Sequence, residues 1–340
     1  MNPGDRVIKA LNCAETDRPP FICPGGMMNM VTIEAMQVLS AECPRCHTDA
    51  REMSRLAMGV RKLTGIENLG VPFCMTVEAE AMGAKVIMGA RESEPRIAYY
   101  PLKTLAEFES LSKLNQTSDR MGGVVEAIER LSGLTSRYPI IANLTGPVSL
   151  ATSLIEPMIF YKALGKTPAL ANAFMQFLTE NLIIFGRLML KAGAQILTIS
   201  DPSASGEILG PRRFNEYALP YINCILDALK EDYEASLVHI CGNLKAVFPM
   251  LGKLHTNAIS IDSATSIGAM LNALRNDQVI VGNVSTYLLM KGKPANVRRA
   301  SKVCLKRGAR ILSPACGISP YTSLANMRAM AESVNLFHSE

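Results

Sequence analysis

Residues 167–201 read TPALANAFMQFLTENLIIFGRLMLKAGAQILTISD, and they contain the unit from which the rest of the chain is built. Thr167 stands at an N-cap position, and Pro168 takes the first helical place, where its missing N–H needs no partner. Apolar residues then recur at helical spacing to Lys191, and Gly193 ends the run. The next five residues, 196–200, are apolar and β-rich, and they stop at Asp201. The same sequence of helix, short apolar run and polar residue returns along the chain. Strands are expected at 20–23, 71–75, 140–144, 196–200, 237–240, 258–261, 279–282 and 309–313. Further helices are expected after Pro211 and over 295–307. Eight β-rich runs separated by helices predict an α/β fold, a closed TIM (β/α)8 barrel, with a doubly wound open sheet as the alternative. No glycine-rich phosphate fingerprint follows the early strands, which disfavours the open sheet. The expected layout is a single domain over 1–340 with an N-terminal helical extension. Residues 83–139 read as an insertion or cap after the second strand, with a hairpin near 86–99.

Composition narrows the function classes. The chain has 340 residues, 48% hydrophobic and 19% charged, so a large core is expected and disorder is not. The net charge of +5 is spread without a basic block, which disfavours nucleic-acid binding. The apolar stretch at 182–190 is broken by Arg187 and followed by Lys191, so no membrane span is read there. The first residues, Met1-Asn2-Pro3-Gly4-Asp5, lack the regions of a signal peptide. Nine cysteines in that setting predict reduced thiols and a cytoplasmic protein. Cys43-Pro44-Arg45-Cys46-His47 fits the C-x-x-C-H pattern of haem attachment, and its first four residues fit a redox pair. Haem attachment requires export, and a redox pair would open a helix after a strand, whereas 29–40 reads as helical. The pair is taken as an incidental feature of a loop, with His47 worth following.

In a parallel barrel the chemistry sits just past the C-terminal ends of the strands. The polar residues there are Asp201, His239 with Cys241, Asp262, Asn283 with Ser285, and Cys316. A neutral imidazole and two thiolates suit zinc with one position left open, as catalytic rather than structural sites have it. A buried histidine beside a cysteine is ordinarily packing; Cys316 at a second strand end is what makes the pair a metal candidate. Plainer readings exist for the others. Asp262 can cap a following helix, Asp201 can belong to the turn at Pro202, and Glu78 and Glu80 begin a helix whose dipole favours carboxylates. Cys13, Cys23, Cys74, Cys224 and Cys304 read as small core or lining residues.

The ordered set of motifs resembles the uroporphyrinogen decarboxylase superfamily, and within it the methylcobamide:coenzyme M methyltransferases. It comprises Asp17-Arg18-Pro19-Pro20, Val71-Pro72-Phe73-Cys74, Glu78-Ala79-Glu80-Ala81-Met82-Gly83 and Thr145-Gly146-Pro147. Further along stand Ser200-Asp201-Pro202-Ser203-Ala204-Ser205, His239-Ile240-Cys241-Gly242-Asn243, Gly282-Asn283-Val284-Ser285 and Pro314-Ala315-Cys316-Gly317-Ile318-Ser319-Pro320. The resemblance implies a TIM barrel with zinc on His239, Cys241 and Cys316. It also implies an acidic fourth ligand at Asp262, displaced by the incoming thiol, and a histidine, His47, at the mouth. Ala315 departs from the glycine usual before the third ligand, and requires a negative φ there. Asp262 is one methylene shorter than the usual glutamate. Residues 21–30 lack the arginines and the aspartate with which the decarboxylase branch holds a porphyrinogen.

Zinc ligation keeps a substrate thiol as thiolate at neutral pH, and two cysteinates keep electron density on its sulfur. The donor set therefore suits alkyl transfer to sulfur better than hydrolysis. The expected reaction moves a methyl group from a methylcobamide, carried by a separate corrinoid protein, to a small thiol such as coenzyme M. Asp201, Asp262 and His47 are the expected catalytic positions, with Glu78 and Asn283 facing the cofactor. Arg18, Arg212 and Arg310 are the cations available for an anionic tail on the thiol. Other donors or acceptors on the same scaffold, a tetrapyrrole decarboxylase and a non-catalytic corrinoid-protein partner are the alternatives.

Overall fold

The computed structural model describes residues 1–24, 31–114 and 119–337, so part of the 21–30 stretch lies outside the described residues. Strand β1 (Leu69–Val71) is followed by an antiparallel hairpin of β2 (Lys85–Ile87) and β3 (Arg96–Tyr99). Then come β4 (Ile140–Thr145), β5 (Ile196–Ser200), β6 (Ala235–Ile240), β7 (Ala258–Ile261) and β8 (Val279–Val281). Strand β1 and strands β4 to β8 form one parallel sheet in chain order. The sheet closes on itself through the remaining two expected strand segments. Phe21 bridges Leu312 and Ile311 bridges Val281, both in parallel, while the Glu67 N–H donates to the Phe21 carbonyl at 2.9 Å. These two seam segments pair at single residues rather than as strands. Pro19, Pro20 and Pro314 supply no N–H to a ladder there. Strand β1 ends at Val71 instead of running to 75 for the same reason, because Pro72 cannot continue the pairing.

Side chains alternate along each strand, and the barrel sorts them. Ile141, Ile196, Leu237, Ala258, Val279 and Ile311 share a core with Val7, Ala10 and Leu11 of the helix Pro3–Leu11, which plugs one end of the barrel. The alternate residues, among them Leu144, Ile199, Val238 and Ile259, pack outward under the surrounding helices. Helix Pro168–Lys191 lies against β4, β5 and helix Leu219–Leu229. Its length and apolar content would let it cross a membrane, yet 56% of its most apolar window is buried within the protein. Thr167 precedes it without capping it: the hydroxyl bonds back to the Ala163 carbonyl at 3.4 Å. Gly193, at φ +115°, follows its end as expected. The two further helices expected stand as Gly206–Tyr217, kinked at Gly210, and Pro294–Lys306. Within 83–139, helix Asp119–Leu134 packs on β1, β4 and helix Ala50–Thr64, the place of the crossover between two parallel strands.

Glu67 ties the seam to the plug. Its carboxylate accepts from the Arg6 guanidinium, from Arg18 at 2.8 Å and from the Phe21 N–H at 2.9 Å, and Arg6 also grips Asp17 at 2.6 Å. Arg6 holds the Asp17 carboxyl well below the usual range. Removing Glu67 leaves the buried Arg6 cation with the half-exposed Asp17 as its carboxylate partner and the Met1 carbonyl beside it. Glu67→Ala is expected to lower unfolding free energy by about 3 kcal/mol in urea titration. A loss under about 1 kcal/mol would show the network to be dispensable.

Candidate metal centre

The register of the sheet places Thr145 beside Ser200, Ser200 beside His239, and His239 beside Ser260. Paired residues in neighbouring strands face the same way, so these four form a polar layer above the apolar interior. His239 is 2% exposed, and Ile240 after it packs outward in the core. Cys241, one residue past the strand, returns to the His239 face. His239 Nδ1 meets Ser260 Oγ at 3.1 Å, which leaves Nε2 toward Cys241 Sγ at 3.0 Å. Cys316 reaches the same point from the far side of the seam, with its Sγ 2.9 Å from that of Cys241. The segment carrying it is pinned by two backbone bonds, Val284 N–H to Ser313 O at 3.1 Å and Ala315 N–H to Val284 O at 2.9 Å. Ala315 has no positive φ, so its methyl group is accommodated where a glycine would be usual.

The turn after Cys241 is built for one shape. Gly242 has φ +78°, and a Cβ there would lie 2.9 Å from the Glu207 carboxylate. Thr265 accepts from the Leu244 N–H at 3.0 Å and donates to the Gly242 carbonyl at 2.9 Å. Asn283 extends the lacing to the next loop, its Nδ2 donating to the carbonyls of Asp262 and Thr265 at 3.0 and 2.9 Å.

The donor atoms of His239, Cys241 and Cys316 all lie within 4.8 Å of one another. The bond from Cys241, with His239 adding to it, draws the Cys316 thiol down against its burial. Cys241, as donor of that bond and buried beside Cys316 and Asp262, is pushed up. The two sulfurs thus share a proton, because two thiolates in contact repel. A divalent cation would remove that constraint and let both ionise. Two thiols, an imidazole oriented through its other nitrogen and a cavity alongside fit a zinc ion.

The remaining expected site residues divide. Asp262 lies near Cys241 but outside the three-donor group; its Oδ1 accepts the Ala264 N–H at 2.8 Å, the turn role. Asp201 is fully buried, accepting from Val148 N, Ser149 N and Ser149 Oγ at 3.1, 2.8 and 2.6 Å. It serves the N-terminus of helix Pro147–Leu154, and burial still pushes its carboxyl up to about 6. Glu78 is buried on Thr145, taking its N–H at 2.7 Å and its hydroxyl at 2.9 Å. His47 is buried edge-on to Phe73, and burial and then Arg120 hold it down near 4, so its ring is neutral at pH 7. Arg18 is held by Glu67, Arg212 by Glu216 at the surface, and Arg310 by the Ala14 carbonyl.

Three side chains that the sequence did not single out also shape the rim. Arg120, 7% exposed, binds Glu80 at 2.6 Å and reaches Cys74 and Thr76. Glu207 shapes the turn at Gly242. Glu94, pushed up to about 7 by burial and by Cys316, borders two cavities. The larger, about 480 Å³, lies beside the Cys316 loop and is lined by Glu92, Glu94, Tyr287, Met290 and Ile318. The smaller, about 30 Å³, reaches Cys43, His47 and Phe73. Cys43 and Cys46 are joined by a disulfide across a Cα separation of 5.0 Å. That corrects the expectation of nine reduced thiols and of an incidental pair: the tight turn at Arg45–His47 brings the two sulfurs together.

Known proteins match over nearly the whole chain. Methylcobamide:CoM methyltransferase MtbA of Methanosarcina acetivorans is 32% identical over 332 residues, 97% of this chain and 96% of that protein. Methylcobamide:CoM methyltransferase MtaA of Methanosarcina barkeri is 28% identical, covering 96% and 95%. Among solved structures, a methyltransferase from Methanosarcina mazei superposes with a TM-score of 0.90 at 26% identity, covering 98% of each chain. The family profile for uroporphyrinogen decarboxylase (URO-D) matches residues 2–337, and the chain belongs to that family.

Proposed function

We propose that this protein is a methyltransferase that moves a methyl group from a methylated corrinoid to a small thiol at a zinc centre formed by His239, Cys241 and Cys316. The observation that carries the reading is the convergence of those three donors, from two strand ends, to within 4.8 Å of one another; the residues just after Cys316 line a cavity of about 480 Å³. Zinc bound there would hold the substrate sulfur as thiolate and leave it nucleophilic. The protein's residues supply position. Ser260 fixes the imidazole, Thr265 and Glu207 fix the Cys241 turn, and the Val284 backbone fixes the Cys316 segment. Sulfur–carbon bond formation and cobalt–carbon cleavage need one axis, with the electron pair left on cobalt, and catalysis is then mainly alignment. The full-length relatives named for methylcobamide and coenzyme M support this donor and acceptor class. A separate corrinoid protein is proposed as carrier, since the described residues are taken up by the barrel, its plug and its rim. The proposed setting is the cytoplasm, where small thiols are kept reduced.

Asp201 and Glu78 are given structural parts in this reading, because their carboxylate oxygens are already occupied. Asp262 remains an acidic group whose charge bears on Cys241, and His47 a neutral wall of the mouth.

Protein purified without chelator is expected to hold one zinc per chain, and zinc-edge X-ray absorption should gain one sulfur neighbour when 2-mercaptoethanesulfonate is added. Metal-free protein that stays inactive with added zinc would end the proposal. Cys241→Ala should abolish zinc retention with an unchanged melting transition, whereas Ser260→Ala should weaken zinc affinity by about 10- to 100-fold. For Asp201→Ala the expected result is the reverse: zinc is retained, and stability in urea falls by about 3 kcal/mol because two buried N–H groups lose their acceptor. Full stability with lost methyl transfer would return Asp201 to the chemistry.

A further inference from the structure

The two cysteines of the C-x-x-C-H motif are unused by the reaction above, and the fold places them at a small cavity that shares Glu94 and Pro320 with the one beside the Cys316 loop. Arg45–His47 form a single tight turn, closed by Cys46 N–H to Glu42 O at 3.0 Å and His47 N–H to Pro44 O at 2.9 Å. The disulfide spans a sequence separation of only three, and so short a loop restrains the unfolded chain little. Its stabilising value is correspondingly small, and its surroundings suggest another use. Cys43 is partly exposed and lines the small cavity with His47, Phe73 and Glu94, whereas Cys46 is fully buried. His47 is 5% exposed, its Nδ1 has no hydrogen-bond partner, and a ring nitrogen lies within 4.8 Å of both sulfurs. Glu94 and Pro320 border this cavity and also the larger one beside the Cys316 loop.

We infer that Cys43–Cys46 is a thiol–disulfide exchange site for small-molecule thiols, with Cys43 the sulfur attacked and Cys46 the leaving group. The difference in accessibility sets that order, since attack needs a line of approach to the sulfur. In the first step a thiol RSH adds its sulfur to Cys43, the Cys43–Cys46 bond breaks, and the thiol's proton ends on Cys46, with His47 placed to pass it. A second thiol then displaces Cys43 as a thiol and leaves as the disulfide RSSR. Two thiols are oxidised to one disulfide, and the two electrons they give up reduce the protein pair. The reduced state sets two thiols beside His47 in the wall leading to the metal centre, so the oxidation state of the thiol pool is written into that wall. The inference does not depend on methyl transfer, because it requires only that small thiols reach the cavity.

The test is differential alkylation of the folded protein with peptide mass mapping. Cys43 and Cys46 are expected to resist alkylation as purified without reductant, and to become labelled after exposure to millimolar 2-mercaptoethanol. The Cys46→Ser variant, treated with 2-hydroxyethyl disulfide, should take one mercaptoethanol onto Cys43 and release the other as thiol. The Cys43→Ser variant should leave Cys46 unmodified until the protein is unfolded. Melting curves of both variants establish that they are folded. Three results would overturn the inference: alkylation of both cysteines before any thiol is added, a disulfide that opens only on unfolding, or an adduct on Cys46. Metal analysis adds a fourth, since a second zinc per chain protecting Cys43 and Cys46 would make the motif a metal site.

Discussion

Everything at the rim depends on one constraint, the twofold alternation of side chains held in register across a closed parallel sheet. Because the period is two, a histidine and a cysteine two residues apart at a strand end face the same way, and the intervening Ile240 goes to the outer core. Register then sets Ser260 beside His239, where its hydroxyl orients the ring. Closure does the rest. Without the bridges at Phe21–Leu312 and Val281–Ile311, nothing would carry Cys316 to within 2.9 Å of a cysteine 75 residues earlier. Glu67, which ties Arg6, Arg18 and Phe21, therefore bears on the metal centre from the far end of the barrel.

The interior changes character along its axis. At the plugged end the inward positions are Ile141, Ile196, Leu237 and Ala258. Toward the C-terminal ends they become Thr145, Ser200, His239 and Ser260. The apolar half closes the barrel, and the polar half supplies hydrogen bonds. Most of those polar groups serve the protein itself. Glu78 and Asp201 look like acid–base residues in one dimension, yet each has its oxygens taken by a neighbouring backbone and hydroxyl. Beside them stand four sulfurs: Cys241 and Cys316 in one place, the Cys43–Cys46 pair in another. Chemistry centred on thiols is the natural use of such a site.

The expected strands at 196–200 and 258–261 coincide with β5 and β7, and the hairpin near 86–99 is present. Those elements were legible because alternation, β-branched residues and turn signals act locally. The first and eighth segments were placed but not in their true form, since prolines at both ends limit their pairing to single bridges. The three metal-type donors were legible from spacing together with the resemblance. Their supports were not: Glu207 reaches the Cys241 turn from a helix and Thr265 from another loop, and Arg120 reaches Cys74 from 46 residues away. Such contacts leave no periodicity. The Cys43-Pro44-Arg45-Cys46-His47 motif was visible, but its sulfurs were judged by the expected compartment rather than by the turn that joins them.

The sequence by itself determined the alternation of strand and helix, the inward parity of His239 and Cys241 and the chemical softness of the donor set. All are properties of residues a few positions apart, where covalent geometry decides. Tertiary structure alone decided which carboxylates are spent on the protein's own backbone, and that Glu94 lies between two cavities. It also decided that Cys43 is partly exposed and Cys46 buried. These depend on burial and on partners brought together by barrel closure, and a linear sequence carries neither.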